Sequence, residues 1–207
     1  MNFPNKNHIE IREFLDDYSS HISKGFKDIN LESLENVAEQ LDQCIKEGNR
    51  IFTCGNGGSS AISEHFVCDF LKGASTNTDI QPLIHSLTSN TPTLTAVAND
   101  ISYEDTFSFQ LKKYANKKDI LICISSSGNS PNIVKCIETA KDIGMKSISF
   151  VGFDGGVAKQ ISDYSLHINN NNYGIVEDLH QCLMHLLAQY IRLKNLKNTE
   201  NIDSIVF

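Results

Sequence analysis

In the segment SEHFVCDF, His65 and Asp69 stand four residues apart, and near the C-terminal end Glu177, Gln181 and His185 follow one another at the same spacing, with His180 flanking them. Residues four apart on a helix are neighbours on one face, so each set can converge on one ligand. An imidazole beside a carboxylate suits a divalent metal or an acid–base pair. The same pair also reads as a plain His–Asp hydrogen bond on a helix surface. Glu177 and His185 lie roughly 80° apart around a helix, on one side of it. That helix carries the apolar stripe Leu179, Leu183, Leu186, Leu187 and Ile191, and a largely buried helix must give its ionisable groups partners. The alternative is a polar face in solvent or at a subunit contact. Together the two helices offer two carboxylates and two or three imidazoles, enough for proton transfer with help from a metal. His8, His21, His85 and His167 have no such company and are expected at the surface or the core edge.

Two loops could hold an anion. Gly55-Asn56-Gly57-Gly58-Ser59-Ser60 lies between a strand ending at Cys54 and a helix starting near Ser59. Glycines let backbone approach a ligand, and a helix start offers unpaired N–H groups at a positive dipole end. No GK[ST] follows, and Ser60 stands where a dinucleotide fingerprint needs its third glycine, so neither nucleotide motif is present. The second loop is Ser125-Ser126-Ser127-Gly128-Asn129-Ser130, with Pro131 opening a helix. Four serines exceed what capping uses, and hydroxyls with backbone N–H groups can hold a phosphate monoester without Lys or Arg. Each loop also reads as a tight or well-capped turn. A third loop, Gly152-Phe153-Asp154-Gly155-Gly156, is expected to be a turn before the next helix.

The elements that must position these residues follow from periodicity. Residues 8 to 23 and 31 to 48 read as helices, the second ended by Gly48. From residue 50, short apolar runs alternate with helical stretches: Ile51–Cys54, Leu83–Leu87, Ile120–Ile124, Ile148–Val151 and Tyr164–Ile168. Several are continuous rather than alternating, as strands covered on both faces are. Strands separated by helices predict a parallel sheet, whose ligands bind at the carboxyl edge. The last helix spans about Ile175 to Lys194, after the polar linker Asn169–Asn172. We therefore expect one α/β domain over 1–207: a helical lead-in at 1–48, a core at 50–196 and a polar tail at 197–207.

Composition narrows the function classes. The chain has 207 residues, 40% apolar and 21% charged, which excludes a disordered or fibrous protein. Eighteen basic against 25 acidic residues give a net charge of -7, so neither nucleic acid nor an anionic membrane is an expected partner. No apolar run reaches the ~18 residues of a membrane span, and the opening MNFPNKNHIEIREF lacks a secretory apolar segment. The six cysteines, Cys44, Cys54, Cys68, Cys123, Cys136 and Cys182, form no CxxC pair. They are expected as buried free thiols in a reducing cytoplasm.

Five blocks in order, CGNGGSSAISEHF, VANDISYEDTF, ISSSGNSPNIVKCIETAKDIGMK, GFDGG and VEDLHQCLMH, resemble the sugar isomerase (SIS) domain and, within it, the bacterial phosphoheptose isomerases. The resemblance runs from the N-terminal helices to Arg192. It implies a flavodoxin-like, doubly wound parallel sheet of five strands, and a homotetramer with active sites at subunit contacts. The implied reaction converts sedoheptulose 7-phosphate into D-glycero-D-manno-heptose 7-phosphate through an enediol, toward activated heptose for lipopolysaccharide or capsule. Carried over by position, Asn56, Gly57, Gly58, Asn99 and Asp100 would contact substrate, and Ser125, Ser126, Ser127 and Ser130 would bind its phosphate. Zinc would fall on His65, Asp69, Glu177 and His185. Where these isomerases usually carry Glu on the first helix this chain has Asp69, and where they carry Gln on the last it has Glu177. The expected catalytic groups are thus Asp69 or Glu177 as base, also touching substrate, with His185 as partner acid or base. Because metal ligands must be deprotonated, activity is expected to fall on acidification. The rival readings are a non-catalytic SIS protein that partners a replication initiator and a sugar-phosphate sensor. Retention of His185 favours the enzyme.

Overall fold

The computed structural model describes residues 3, 4, 6–200, 202 and 205, so the expected polar tail, 197–207, falls partly outside the described residues. Two helices lead in, α1 (Ile11–Lys27) and α2 (Leu31–Lys46). Asn30 caps α2 by accepting from Ser33 N–H at 2.7 Å, and Gly48, at φ 71°, ends it as the sequence indicates. The rest alternates: β1 (Arg50–Gly55), α3 (Gly58–Cys68), β2 (Leu83–Ser86), α4 (Thr91–Asp100), α5 (Ser108–Tyr114), β3 (Ile120–Ser125), α6 (Pro131–Ile143), β4 (Lys146–Val151), α7 (Gly156–Ile161), β5 (Tyr164–His167) and α8 (Tyr173–Lys194). Every expected strand forms, to within a residue or so at each end.

All four strand pairings are parallel and the order is β2-β1-β3-β4-β5. This is the flavodoxin-like order, in which strand direction of travel reverses between β1 and β3 and opens a crevice at their carboxyl ends. Alternate strand residues divide the core. Ile51, Ile84, Ile122, Ile124, Ile148 and Phe150 face α2, α3 and α8, where Phe66, Phe70, Leu179 and Leu183 are fully buried. Phe52, Cys54, Leu121, Cys123 and Val151 face α5, α6 and α7. All six residues of β3 are buried, which explains its unbroken apolar run.

Helix ends follow local chemistry. Pro131 opens α6 and Gly144, in the left-handed region at φ 87°, closes it. Asn172, at the end of the polar linker, caps α8 by accepting from Ile175 N–H at 3.0 Å. One feature has no signal in the sequence: α3 runs directly into a π-helical segment, Asp69–Ala74. Among the described residues, no helix is long and apolar enough to cross a membrane.

Candidate active site

Helices α3 and α8 lie side by side and run the same way, because Gly58 approaches Glu177, His65 approaches Gln181 and Asp69 approaches His185 in turn. His65 Nε2 is 3.2 Å from Asp69 Oδ1, and His185 Nε2 is 3.4 Å from Asp69 Oδ2. The Gln181 amide nitrogen sits 2.9 Å from His65 Nδ1 and 3.1 Å from His185 Nε2. The two imidazoles meet edge to face, 5.0 Å apart. Asp69 is the first residue of the π-helical segment, and such insertions re-aim side chains at functional positions. The cluster is half-buried, and Asp69 and His185 border a cavity of about 270 Å³ with Lys72 and Arg192.

The donor set fits zinc. Zinc holds N and O ligands at about 2.0–2.2 Å, which spaces tetrahedral ligands roughly 3.3–3.6 Å apart. The two separations from Asp69 lie close to that range, and the ligand atoms of His65, Asp69 and His185 all fall within 4.8 Å of one another. Three protein ligands and an open position is the catalytic rather than the structural pattern.

Within one chain Glu177 lies apart from this group. Eight helical residues separate it from His185, roughly 12 Å of rise. Its carboxylate instead lies against Gly58, where any side chain would collide with it. There it borders a separate cavity of about 120 Å³, with Asn56, Ser59, Ser125, Ser126, Ser127, Ser130 and Tyr173. Burial, then the neighbouring Asp178, raises the Glu177 carboxyl above the usual carboxylate range. His180, expected beside this row, is fully buried against Phe150 and its burial lowers the imidazole to about 4.

The serine cavity has the chemistry of an anion site. Ser125 Oγ accepts from Gly128 N–H at 3.2 Å and Ser127 Oγ from Asn129 N–H at 3.3 Å, so these two hydroxyls build the turn. The other two are uncommitted. Ser126 Oγ is buried with no hydrogen-bond partner, and Ser130, although the N-cap of α6, makes no side-chain capping bond. The N-termini of α3 and α6 both open here, adding positive dipole ends where no basic side chain lines the cavity.

The third glycine loop is the expected turn before the next helix, and it is hydrogen-bonded to the back of the serine loop. Gly152 N–H donates to Ser126 O at 2.9 Å, Ala158 N–H to Gly128 O at 2.9 Å and Val157 N–H to Asn129 Oδ1 at 3.0 Å. Gly128 has φ +65°, and a Cβ there would overlap Gly155 O. The first loop is tied in as well. Asn56 and Asn132 exchange amide hydrogen bonds of 2.9 Å in both directions, and Tyr103 OH donates to Asn56 Oδ1 at 3.0 Å. Asn56 and Gly57 also border a cavity of about 220 Å³ beside Tyr103 and Thr106. Asn99 and Asp100 sit elsewhere, exposed at the end of α4 and bonded to each other, bordering neither of these cavities.

Sequence reasoning missed Asn132 and Tyr103 as supports of Asn56, and Tyr173 and Ser59 as lining. It placed Gln181 on the right helical row without giving it a role. Of the cysteines, Cys44, Cys54, Cys123 and Cys136 are buried as expected, Cys182 is partly so, and Cys68 is exposed because it falls on the solvent side of α3. Cys54, Cys123 and Cys136 bring their sulfurs within 4.8 Å of one another, a second cluster with metal-ligating chemistry.

Comparison with known proteins places the chain in a family and agrees with its fold. The SIS domain family matches residues 13–152. The phosphoheptose isomerase of Helicobacter pylori (strain P12) is 37% identical over 166 residues, 78% of this chain and 86% of that protein. That of Aliarcobacter butzleri is 35% identical over 181 residues, 87% of this chain and 94% of that protein. A solved phosphoheptose isomerase from Francisella tularensis superposes with a TM-score of 0.82 at 27% identity, covering 88% of this chain and 96% of that one.

Proposed function

The chain belongs to the SIS-domain family, among its phosphoheptose isomerases, and from that premise we propose that it converts sedoheptulose 7-phosphate into D-glycero-D-manno-heptose 7-phosphate for heptose biosynthesis. The reaction is an aldose–ketose isomerisation of a phosphorylated sugar through an enediol. The observation that carries the reading is the meeting of His65, Asp69 and His185 on the helix pair that also frames the serine pocket. A non-catalytic or sensing role has no use for such a cluster.

The phosphoryl group binds in the pocket of Ser125, Ser126, Ser127 and Ser130, accepting from the Ser126 and Ser130 hydroxyls and from backbone N–H groups at the start of α6. Asn56, Gly57 and Gly58 line the path of the sugar. A carboxylate takes the proton from one carbon and returns it to its neighbour. His185 gives and receives the proton at the carbonyl and hydroxyl oxygens. His65, Asp69 and His185 would hold zinc, which when bound polarises a carbonyl and stabilises negative charge on oxygen. Gln181 is a positioning residue: with its amide turned over, Oε1 accepts from His65 Nδ1–H and fixes the ring.

Which carboxylate is the base depends on assembly. Asp69 shares a cavity with His185 of its own chain. Glu177 borders the serine pocket, so a Glu177 base needs a His185 brought from another copy. Leu186, Tyr190 and Leu193 leave apolar surface exposed on α8 beside His185. That surface supports a homotetramer whose sites are completed across subunit contacts. Six free cysteines fit a cytoplasmic enzyme.

The test is incubation of the purified protein with sedoheptulose 7-phosphate, with and without a chelator. Product is expected to form, to stop on chelation and to return with zinc; failure of the metal-replete protein to isomerise overturns the reading. Mixing Glu177→Gln with His185→Ala protein before assembly decides between the bases. Partial recovery of turnover in the mixture identifies Glu177 acting across subunits, whereas no recovery leaves Asp69.

A further inference from the structure

Beneath the crevice, on the opposite face of the sheet from the His–Asp cluster, lie the three thiols of Cys54, Cys123 and Cys136. Cys54 and Cys123 are register partners on β1 and β3, with sulfurs 3.3 Å apart, and Cys136 reaches them from the second turn of α6. All three are 0–1% exposed, in a core of Phe52, Leu121, Ile133 and Ile137. Burial holds the Cys54 and Cys123 thiols well above their usual range, and no cationic group acts on either.

From this geometry we propose that the three thiols form a binding site for a trivalent thiophilic ion of the arsenite class, and that filling it weakens substrate binding in the crevice above. Charge selects the ion. Zinc on three thiolates would leave a net negative charge in an apolar core, and among the described residues no further His, Cys or carboxylate supplies its fourth ligand. Trivalent arsenic needs only three sulfurs and forms a neutral product. Arsenous acid exchanges its three hydroxyls for three thiolate sulfurs. Three S–H bonds break, three As–S bonds form, and each thiol proton leaves with a hydroxyl as water, with no change of oxidation state. A pyramidal centre of this kind holds its sulfurs close to the separation that Cys54 and Cys123 already have. Uncharged arsenous acid enters through local opening of α6 away from the carboxyl ends of β1 and β3, so uptake is slow.

The coupling to substrate is built into chain connectivity. The glycine loop begins one residue after Cys54, the serine loop begins two residues after Cys123, and α6, which carries Cys136, begins at the pocket. With Cys54 and Cys123 already at the required separation, closing the Cys136 sulfur onto the shared centre shifts α6, which opens at the crevice.

Reduced, zinc-loaded full-length protein is incubated with sodium arsenite and followed by native mass spectrometry and ultraviolet absorbance. Each chain is expected to gain one arsenic and lose three hydrogens, with an As–S absorbance band and an about ten-fold rise in KM. Cys136→Ala abolishes this uptake while Cys68→Ala retains it. If Cys136→Ala proves unfolded by circular dichroism, Cys123→Ala serves the same purpose. Persistent uptake in the folded variant, loss of fewer than three hydrogens, or no uptake overturns the site; an unchanged KM at full occupancy overturns the coupling. Mass uptake does not depend on turnover, so failure here is distinguishable from failure of the isomerase reading.

Discussion

The hydroxyls of the serine loop divide their work. Ser125 and Ser127 hold the turn, while Ser126 keeps a buried oxygen without a partner. A buried hydroxyl left unpaired costs about 1–3 kcal/mol, which the proposed phosphoryl group would recover. Ser126→Ala is therefore expected to leave stability unchanged or raise it. Loss of one bond to a charged phosphoryl group, about 1.5–3 kcal/mol, should raise KM roughly ten-fold or more with kcat little altered. Steady-state kinetics and thermal melts together check both halves. The sequence supplied this loop because serine content exceeded capping need. It could not say which hydroxyls stay free, since that depends on turn geometry.

At the scale of elements, the serine loop is hydrogen-bonded to the Gly152–Gly156 segment and the start of α7 behind it. Gly128→Ala forces a side chain into a left-handed position and against Gly155 O. It should cost about 1–3 kcal/mol, read as a lowered melting temperature, and raise KM by displacing the phosphate pocket. Normal KM in a folded variant would show that this segment does not set the pocket. The helix pairing was half legible. The i, i+4 spacings of His65 and Asp69 and of Gln181 and His185 predicted faces. Which faces meet was decided by the packing of α3 along α8 and by the π-helical segment that begins at Asp69. Residue spacing does not record that insertion. Glu177 shared the row yet landed at another cavity, because two positions on one side of a helix but about two turns apart are not one place.

At the scale of the molecule, the parallel sheet was readable from strands separated by helices, its flavodoxin-like form came from the family resemblance, and the continuous apolar runs marked strands covered on both faces, as β3 is. The status of His180 was not, because a histidine on an otherwise apolar helix reads equally as site or core. It is fully buried and its imidazole is lowered to about 4 from 6.5. The unfolded chain therefore binds a proton that the folded chain refuses between those values, so stability rises with pH across that window and is lost as pH falls through it. This one residue contributes on the order of 3 kcal/mol of acid sensitivity. His180→Phe should flatten the denaturation midpoint between pH 4 and 6.5; an unchanged slope would assign the acid loss elsewhere. The Asn56–Asn132 amide pair has a further consequence, for how the protein ages. Asn56 precedes Gly57, and an asparagine followed by glycine readily cyclises and sheds ammonia when its side chain can swing onto the next backbone nitrogen. Held by Asn132 and Tyr103, the amide is kept from that attack. Any variant that releases it trades a neutral group for a carboxylate at the mouth of an anion pocket, and inactivates slowly on storage rather than at synthesis.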